Sequence, residues 1–184
     1  MDNPPKLLKS SRHPFFCLAA FLVFTQIVLF SGTCARAADV PWTLQELSAY
    51  YRGPDQIAQF LRKKIVLVSD RQLFGCDDYW QSPAETLRSG KGDCEDYALL
   101  AEALLRRQKI PAWVFSVYGP GGYAHTVCAF KQNGRYNVIN VDQLISYQAE
   151  SFKELAGKLH PRWEWAAVAR RAGHRGKALR RITP

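Results

Sequence analysis

Lys91-Gly92-Asp93-Cys94-Glu95-Asp96-Tyr97 reads as a glycine-hinged entry into a helix with one cysteine in its first turn. Asp93 suits the N-cap, where a carboxylate accepts an orphan backbone N–H, and Glu95 and Asp96 favour the positive end of the helix dipole. Cys94 then takes the first helical position. Apolar residues recur at Tyr97, Leu100, Ala101, Leu104 and Leu105, a stripe of helical period, and Cys94 lies three residues before Tyr97 on the same face. The sulfur therefore points toward whatever the helix packs on, which makes Cys94 a candidate nucleophile. Arg106, Arg107 and Lys109 sit at the carbonyl end, and Pro111 stops the helix.

Upstream, Ser82-Pro83-Ala84-Glu85 is a capping box with proline at the first helical position, so a short helix ends near Ser89-Gly90 and delivers Cys94. Residues 44–51 and a segment opening at Gly53-Pro54-Asp55 read as earlier helices, residues 65–68 as a short strand or a helix end, and residues 69–78 as polar and turn-rich. Beyond the central helix the period changes to two. Residues 112–118 and 123–130 read as strands joined by a glycine-rich loop, and Asn133-Gly134 is a two-residue hairpin signal returning through 135–141. This turn fixes a register. Gln132 faces Arg135, and the same ladder carried on sets His125 opposite Asp142, with Cβ atoms about 5 Å apart. Ser151-Phe152-Lys153-Glu154 opens a helix through Leu159, and Trp163, Trp165 and Val168 suggest a final strand. The fold class expected is α+β.

The 184 residues divide unevenly. Lys6, Lys9 and Arg12, the apolar run at 15–30 and Ala35-Arg36-Ala37 give residues 1–37 the pattern of a secretory signal, implying a periplasmic or extracellular protein. The alternative is a membrane anchor through residues 15–30, although the run is shorter than the roughly 20 residues of a spanning helix. Residues 38–169 are expected to form one domain and residues 170–184 a solvated basic tail. The net charge of +9 follows this division: residues 1–37 hold four basic residues against one acidic, the tail six against none, and residues 38–169 are neutral. A basic nucleic-acid surface is therefore not expected of the folded body, and membrane association beyond the signal is at most weak. With the signal removed the cysteines are Cys76, Cys94 and Cys128. The odd count leaves at least one thiol unpaired, and Cys76 and Cys128 are either a disulfide or two buried thiols. Nothing resembles the paired spacings of a zinc site.

A thiol becomes a nucleophile as thiolate, and a helix N-terminus together with an imidazolium lowers its pKa. Cys94 has the first and His125 can supply the second, with Asp142 orienting the imidazole; the N–H groups at the helix start can form part of an oxyanion hole. Taken singly, each residue has a plain structural reading: a small buried hydrophobe, a sheet histidine, a turn aspartate. The register and the helix start favour the triad. Asp93 and Glu95 oppose a thiolate beside them, and cation binding would explain such crowding.

The run from Gly92 to Ala98, preceded by Asp78-Tyr79-Trp80-Gln81-Ser82-Pro83-Ala84-Glu85-Thr86-Leu87 and followed by Ala124-His125-Thr126-Val127 and Asp142, resembles the bacterial transglutaminase-like cysteine peptidases. The resemblance implies a papain/transglutaminase-like core, with the Cys94 helix packed on a small antiparallel sheet carrying His125 and Asp142. In the periplasmic adhesin-processing members acidic residues flanking the cysteine bind calcium, and Asp93 and Glu95 match those positions. No cofactor is required for the chemistry itself. The chain departs from the family in being short and in reading Val138-Ile139-Asn140-Val141-Asp142, without the usual Asp-Asn pair. The expected function is an exported cysteine hydrolase acting on a protein or peptide through a thioester. Acyl transfer to an amine and a non-catalytic interaction module of the same fold are the alternatives. The sequence leaves the oligomeric state open.

Overall fold

The computed structural model describes residues 42–184. The signal or anchor expected of residues 1–37 lies outside the described residues. Within them the elements are α1 (Leu44–Tyr50), α2 (Gly53–Lys64), β1 (Val66–Leu67), α3 (Asp70–Phe74), α4 (Pro83–Ser89), β2 (Lys91–Gly92), α5 (Cys94–Arg107), β3 (Ala112–Gly119), β4 (Tyr123–Gln132), β5 (Arg135–Asn140), β6 (Gln143–Ala149), α6 (Phe152–Leu159), β7 (Trp165–Ala172) and β8 (Arg175–Ile182). This is the α+β class the alternating periods predict. No helix among the described residues is long and apolar enough to cross a membrane.

Six strands form one antiparallel sheet in the order β6-β5-β4-β3-β7-β8, while β1 and β2 pair in parallel beside it. The period-two pattern sends alternate side chains to opposite faces. Val114, Cys128, Phe130 and Ile139 meet α1, α2 and α5 on one face. Phe115, Val117, Val127, Ala129 and Val138 meet Phe152, Leu155 and Ala156 of α6 on the other. The helix α5 thus spans the core, with Leu100, Ala101, Leu104 and Leu105 wholly buried, and Tyr97 donates its hydroxyl to the Ile65 carbonyl at 2.7 Å.

The hairpin signal acts as expected. Asn133 and Gly134 have φ of 52° and 79°, the left-handed pair a two-residue turn requires, and β4 pairs with β5 from Gln132–Arg135 to Cys128–Ile139. The ladder then opens. Val141 turns to φ 55°, Asn140 pairs with Gln143, and β6 runs back along the far side of β5. His125 and Asp142 therefore do not become cross-strand neighbours.

The C-terminal residues correct a second expectation. Residues 170–184, read from their charge as a solvated tail, complete β7 and form β8, a full hairpin on the edge of the sheet. The hairpin docks on the segment before α4: Trp80 N–H donates to the His174 carbonyl at 3.0 Å, Arg171 Nε donates to the Trp80 carbonyl at 2.6 Å, and Arg171 pairs with Glu85 at 3.0 Å. His174 stacks on Tyr79 with ring centroids 4.3 Å apart. Gly176 lies under the Trp80 indole, which fills the space a Cβ would need. Because Trp80 is a buried, bulky ring, Gly176→Ala should lower stability by about 1–3 kcal/mol through overpacking. Urea unfolding measures this; an unaltered midpoint would mean that the hairpin is not docked.

Candidate active site

Three stretches of chain converge at the start of α5. The two-stranded sheet pins Gly92, with Val66 N–H donating to the Gly90 carbonyl and Val68 N–H to that of Gly92, both at 2.9 Å. Asp93 is the N-cap and Cys94 the first helical residue, as the sequence predicts. Asp96 is wholly buried. It accepts Gln81 N–H at 2.8 Å, Gln81 Nε2 at 2.5 Å and Asp93 N–H at 3.3 Å, so it holds the strand before α4 against the start of α5. Gly92 has to lack a side chain there, since a Cβ would lie 2.6 Å from the Asp96 side chain.

The Cys94 thiol donates to Glu95 Oε2 at 3.0 Å, and the Thr126 N–H faces the sulfur from β4. Thr126 lies just past the last β4–β5 pair, so its amide is one the opened ladder leaves for another acceptor. Burial pushes the thiol pKa up, and the neighbouring Asp93 adds to the rise. His125 is the next residue along β4. Its Nε2 lies 2.7 Å from Asn140 Oδ1, and an amide oxygen can only accept, so Nε2 carries the proton and Nδ1 is left as the base. The oxygen opposite the ring belongs to Asn140 and not to Asp142. Asp142 instead sits in the turn after β5, where Arg62 holds its carboxylate at 3.3 Å and its carbonyl at 3.1 Å, tying that turn to the end of α2. Asn140 was legible only as a departure from the family pattern. Its spacing signal was hidden by the register break at Val141.

Beside the thiol lies a carboxylate cluster. Asp93, Cys94 and Glu95 form one group of potential ligands, Asp70, Asp93 and Asp96 a second, and Asp70, Asp78 and Glu95 a third, with ligand atoms in each within 4.8 Å of one another. Asp93 and Glu95 are the two the sequence singled out; Asp70, Asp78 and Asp96 join them from other segments. Asp70 is 2% exposed and accepts Tyr79 N–H at 2.5 Å through Oδ2, while its Oδ1 and that of Asp93 are buried with no partner among the described residues. Burial first, then Glu95, pushes Asp93 up to about 8; burial, then Cys94, pushes Glu95 up to about 8; burial pushes Asp96 up to about 6 against the Gln81 hydrogen bonds. Orphaned buried carboxylate oxygens in an all-oxygen set fit a hard divalent cation, so the residues present accommodate one.

The family model of the bacterial transglutaminase-like cysteine proteinases (BTLCP) matches residues 21–149. The chain belongs to this family. Its transglutaminase-like core carries Cys94 on α5 and His125 on the antiparallel sheet. Among solved structures the chain is similar to Legionella pneumophila LapG, at 17% identity over 67% of this chain and 81% of that one with a TM-score of 0.45. LapG structures include a calcium-bound and an EGTA-treated form. A Cytophaga hutchinsonii protein assigned as a cysteine protease is similar at 16% identity over 77% of this chain and 49% of that one, with a TM-score of 0.44. No curated protein matches. The three described cysteines Cys76, Cys94 and Cys128 are all free thiols, with Cys76 exposed and Cys128 buried, so the disulfide alternative for Cys76 and Cys128 is not formed.

The raised carboxyls make a signed prediction for metal-free protein. Asp93 and Glu95 ordinarily titrate at 3.8 and 4.5 and here at about 8, so the folded state keeps protons that the unfolded chain releases. Their contribution to stability is fully present below the ordinary values and is lost as pH rises toward about 8. In chelator the melting temperature should therefore decline between about pH 5 and 8. Asp93→Asn should flatten the decline, and a melting temperature that rises steadily over this range would contradict the cluster's electrostatics.

Proposed function

We propose that this protein is an exported cysteine peptidase in which Cys94 is the nucleophile, His125 the general base and Asn140 the residue that orients the imidazole. The observation that carries the reading is the His125–Asn140 hydrogen bond on the strand whose next residue, Thr126, turns its N–H to the sulfur of Cys94 at the first position of α5. His125 Nδ1 takes the thiol proton, and the sulfur adds to the amide carbon. The first N–H groups of α5 have no intrahelical acceptor, and in this reading that of Cys94 receives the oxyanion. The imidazolium then returns its proton to the leaving amine, the thioester forms, and His125 activates the water that hydrolyses it. Asn140 fixes the tautomer without adding a negative charge, the role asparagine takes in papain-like triads.

Calcium is the cation that the carboxylates fit, held by Asp93 and Glu95 with Asp70 and Asp78 beside them. Bound there, it supplies positive charge beside the sulfur, which favours thiolate over thiol. Export follows from the signal pattern of residues 1–37, and a peptide substrate from the family.

Cys94→Ala and His125→Ala should abolish hydrolysis and, for the former, iodoacetamide labelling. Asn140→Ala should cost roughly ten- to a hundredfold in kcat/KM, and Asn140→Asp should retain activity while moving the alkaline limb of the pH profile upward. Asp142→Ala should change kcat/KM by no more than a few-fold, roughly the effect of an exposed ion pair. A larger loss from Asp142→Ala than from Asn140→Ala would return the third role to Asp142. Product mass distinguishes water from an amine as the acceptor. Millimolar calcium should raise the melting temperature above that in chelator, and Asp70→Asn should weaken the rise; identical melts in both would remove the calcium assignment.

A further inference from the structure

Away from Cys94, the ends of α2, α4 and α5 and the start of α1 enclose an open groove of about 990 Å³. Its charge is one-sided. Lys63 and Lys64 reach it from the last turn of α2, Arg88 and Lys91 from the end of α4 and from β2, and Arg107 from the end of α5, with no carboxylate among the described residues that line it. Arg62, also on the wall, is engaged by Asp142, whereas Lys63, Lys64, Arg88 and Lys91 form no ion pair with any described residue. With the C-terminal hairpin part of the fold, residues 38–184 carry a formal net charge of +6, and no acidic residue of the described lining offsets the cations of the groove.

The floor is apolar, built from Trp42, Leu44, Ile65 and Leu87. Val66 of β1 lines one side, and β1 is paired on one side only: Val66 and Val68 donate to Gly90 and Gly92, so the N–H and C=O of Leu67, next to the groove, face away from β2. Val66 and Leu67 are 58% and 59% exposed. Cations spread over three elements do not converge as they would on a single phosphate, and a concave wall does not meet a planar bilayer. A free strand edge beside an apolar floor suits an extended chain, whose backbone pairs with the edge and whose side chains alternate between floor and rim.

We propose that this groove binds an acidic polypeptide segment in extended form, with carboxylates on the basic rim and apolar side chains on the floor. The claim stands apart from the peptidase reading, because it concerns binding and is tested without turnover. The probe is a labelled peptide of about ten residues alternating Glu with Leu or Val, titrated by fluorescence polarisation against protein carrying Cys94→Ala in chelator. Saturable binding that falls as salt is raised is expected. Lys63→Gln, Lys64→Gln and Arg88→Gln together should weaken it about tenfold at an unchanged melting temperature. A peptide with Gln in place of Glu should bind the unaltered groove far more weakly, a comparison that does not depend on the variant folding. Equal binding of the Gln peptide, or unchanged affinity in the triple variant, overturns the proposal. So does capture by phosphatidylglycerol vesicles or by inorganic polyphosphate with none by the peptide, which would assign the groove to a lipid surface or a phosphate chain.

Discussion

The site depends on one buried carboxylate. Asp96 has no exposed surface and no cation against it, yet it accepts hydrogen bonds from the backbone and side chain of Gln81 and from the backbone of Asp93. An unsatisfied carboxylate in that position would be costly, so the three donors, two from Gln81 and one from Asp93, lock two pieces of chain together. Gln81 brings the segment that carries Asp78 and Trp80, Asp93 sets the first turn of α5, and Gly92 is kept small so that the carboxylate can fit. The placement of Cys94 follows from these restraints more than from its own contacts.

Around this hub the electrostatics divide into two regions. The cluster of Asp70, Asp78, Asp93 and Glu95 concentrates acidic groups beside the thiol, so the metal-free site favours protons on Asp93, Glu95 and Cys94 alike. A cation would reverse that preference for all three groups at once. The groove lined by the ends of α2, α4 and α5 carries positive charge with no carboxylate among its described lining residues, so the two regions differ sharply in sign.

Much of this was legible from local signals. The helix start at Asp93, the Ser82–Glu85 capping box and the Asn133-Gly134 turn are short-range patterns whose physics is complete within a few residues, and each formed where expected, whereas at α6 Ser151 caps the helix but Glu154 reaches back to Glu150 N–H rather than closing the expected box. The register from that turn also held as far as Cys128–Ile139. It failed at Val141, a β-branched residue with positive φ, a conformation that nothing in its own identity announces. That one residue moved the oxygen facing His125 from Asp142 to Asn140. Asp70 and Asp78 were hidden for a different reason, since their approach to Asp93 and Glu95 is set by tertiary folding. The Arg-rich last strand was misread because charge outweighed its β-pairing: Ala169 and Ala178 face each other where the residues around them suggest solvent.

The docking of the C-terminal hairpin bears on the order in which the protein folds. The segment from Asp70 to Gln81 is held on one side by Asp96 and on the other by Arg171 and His174, which come from the last fifteen residues of the chain. Until those residues are in place, the contacts that hold Tyr79 and Trp80 from that side do not exist. Asp70 and Asp78, on the same segment, therefore lean on contacts about ninety residues away in sequence, a long-range closure that belongs to the slow part of folding.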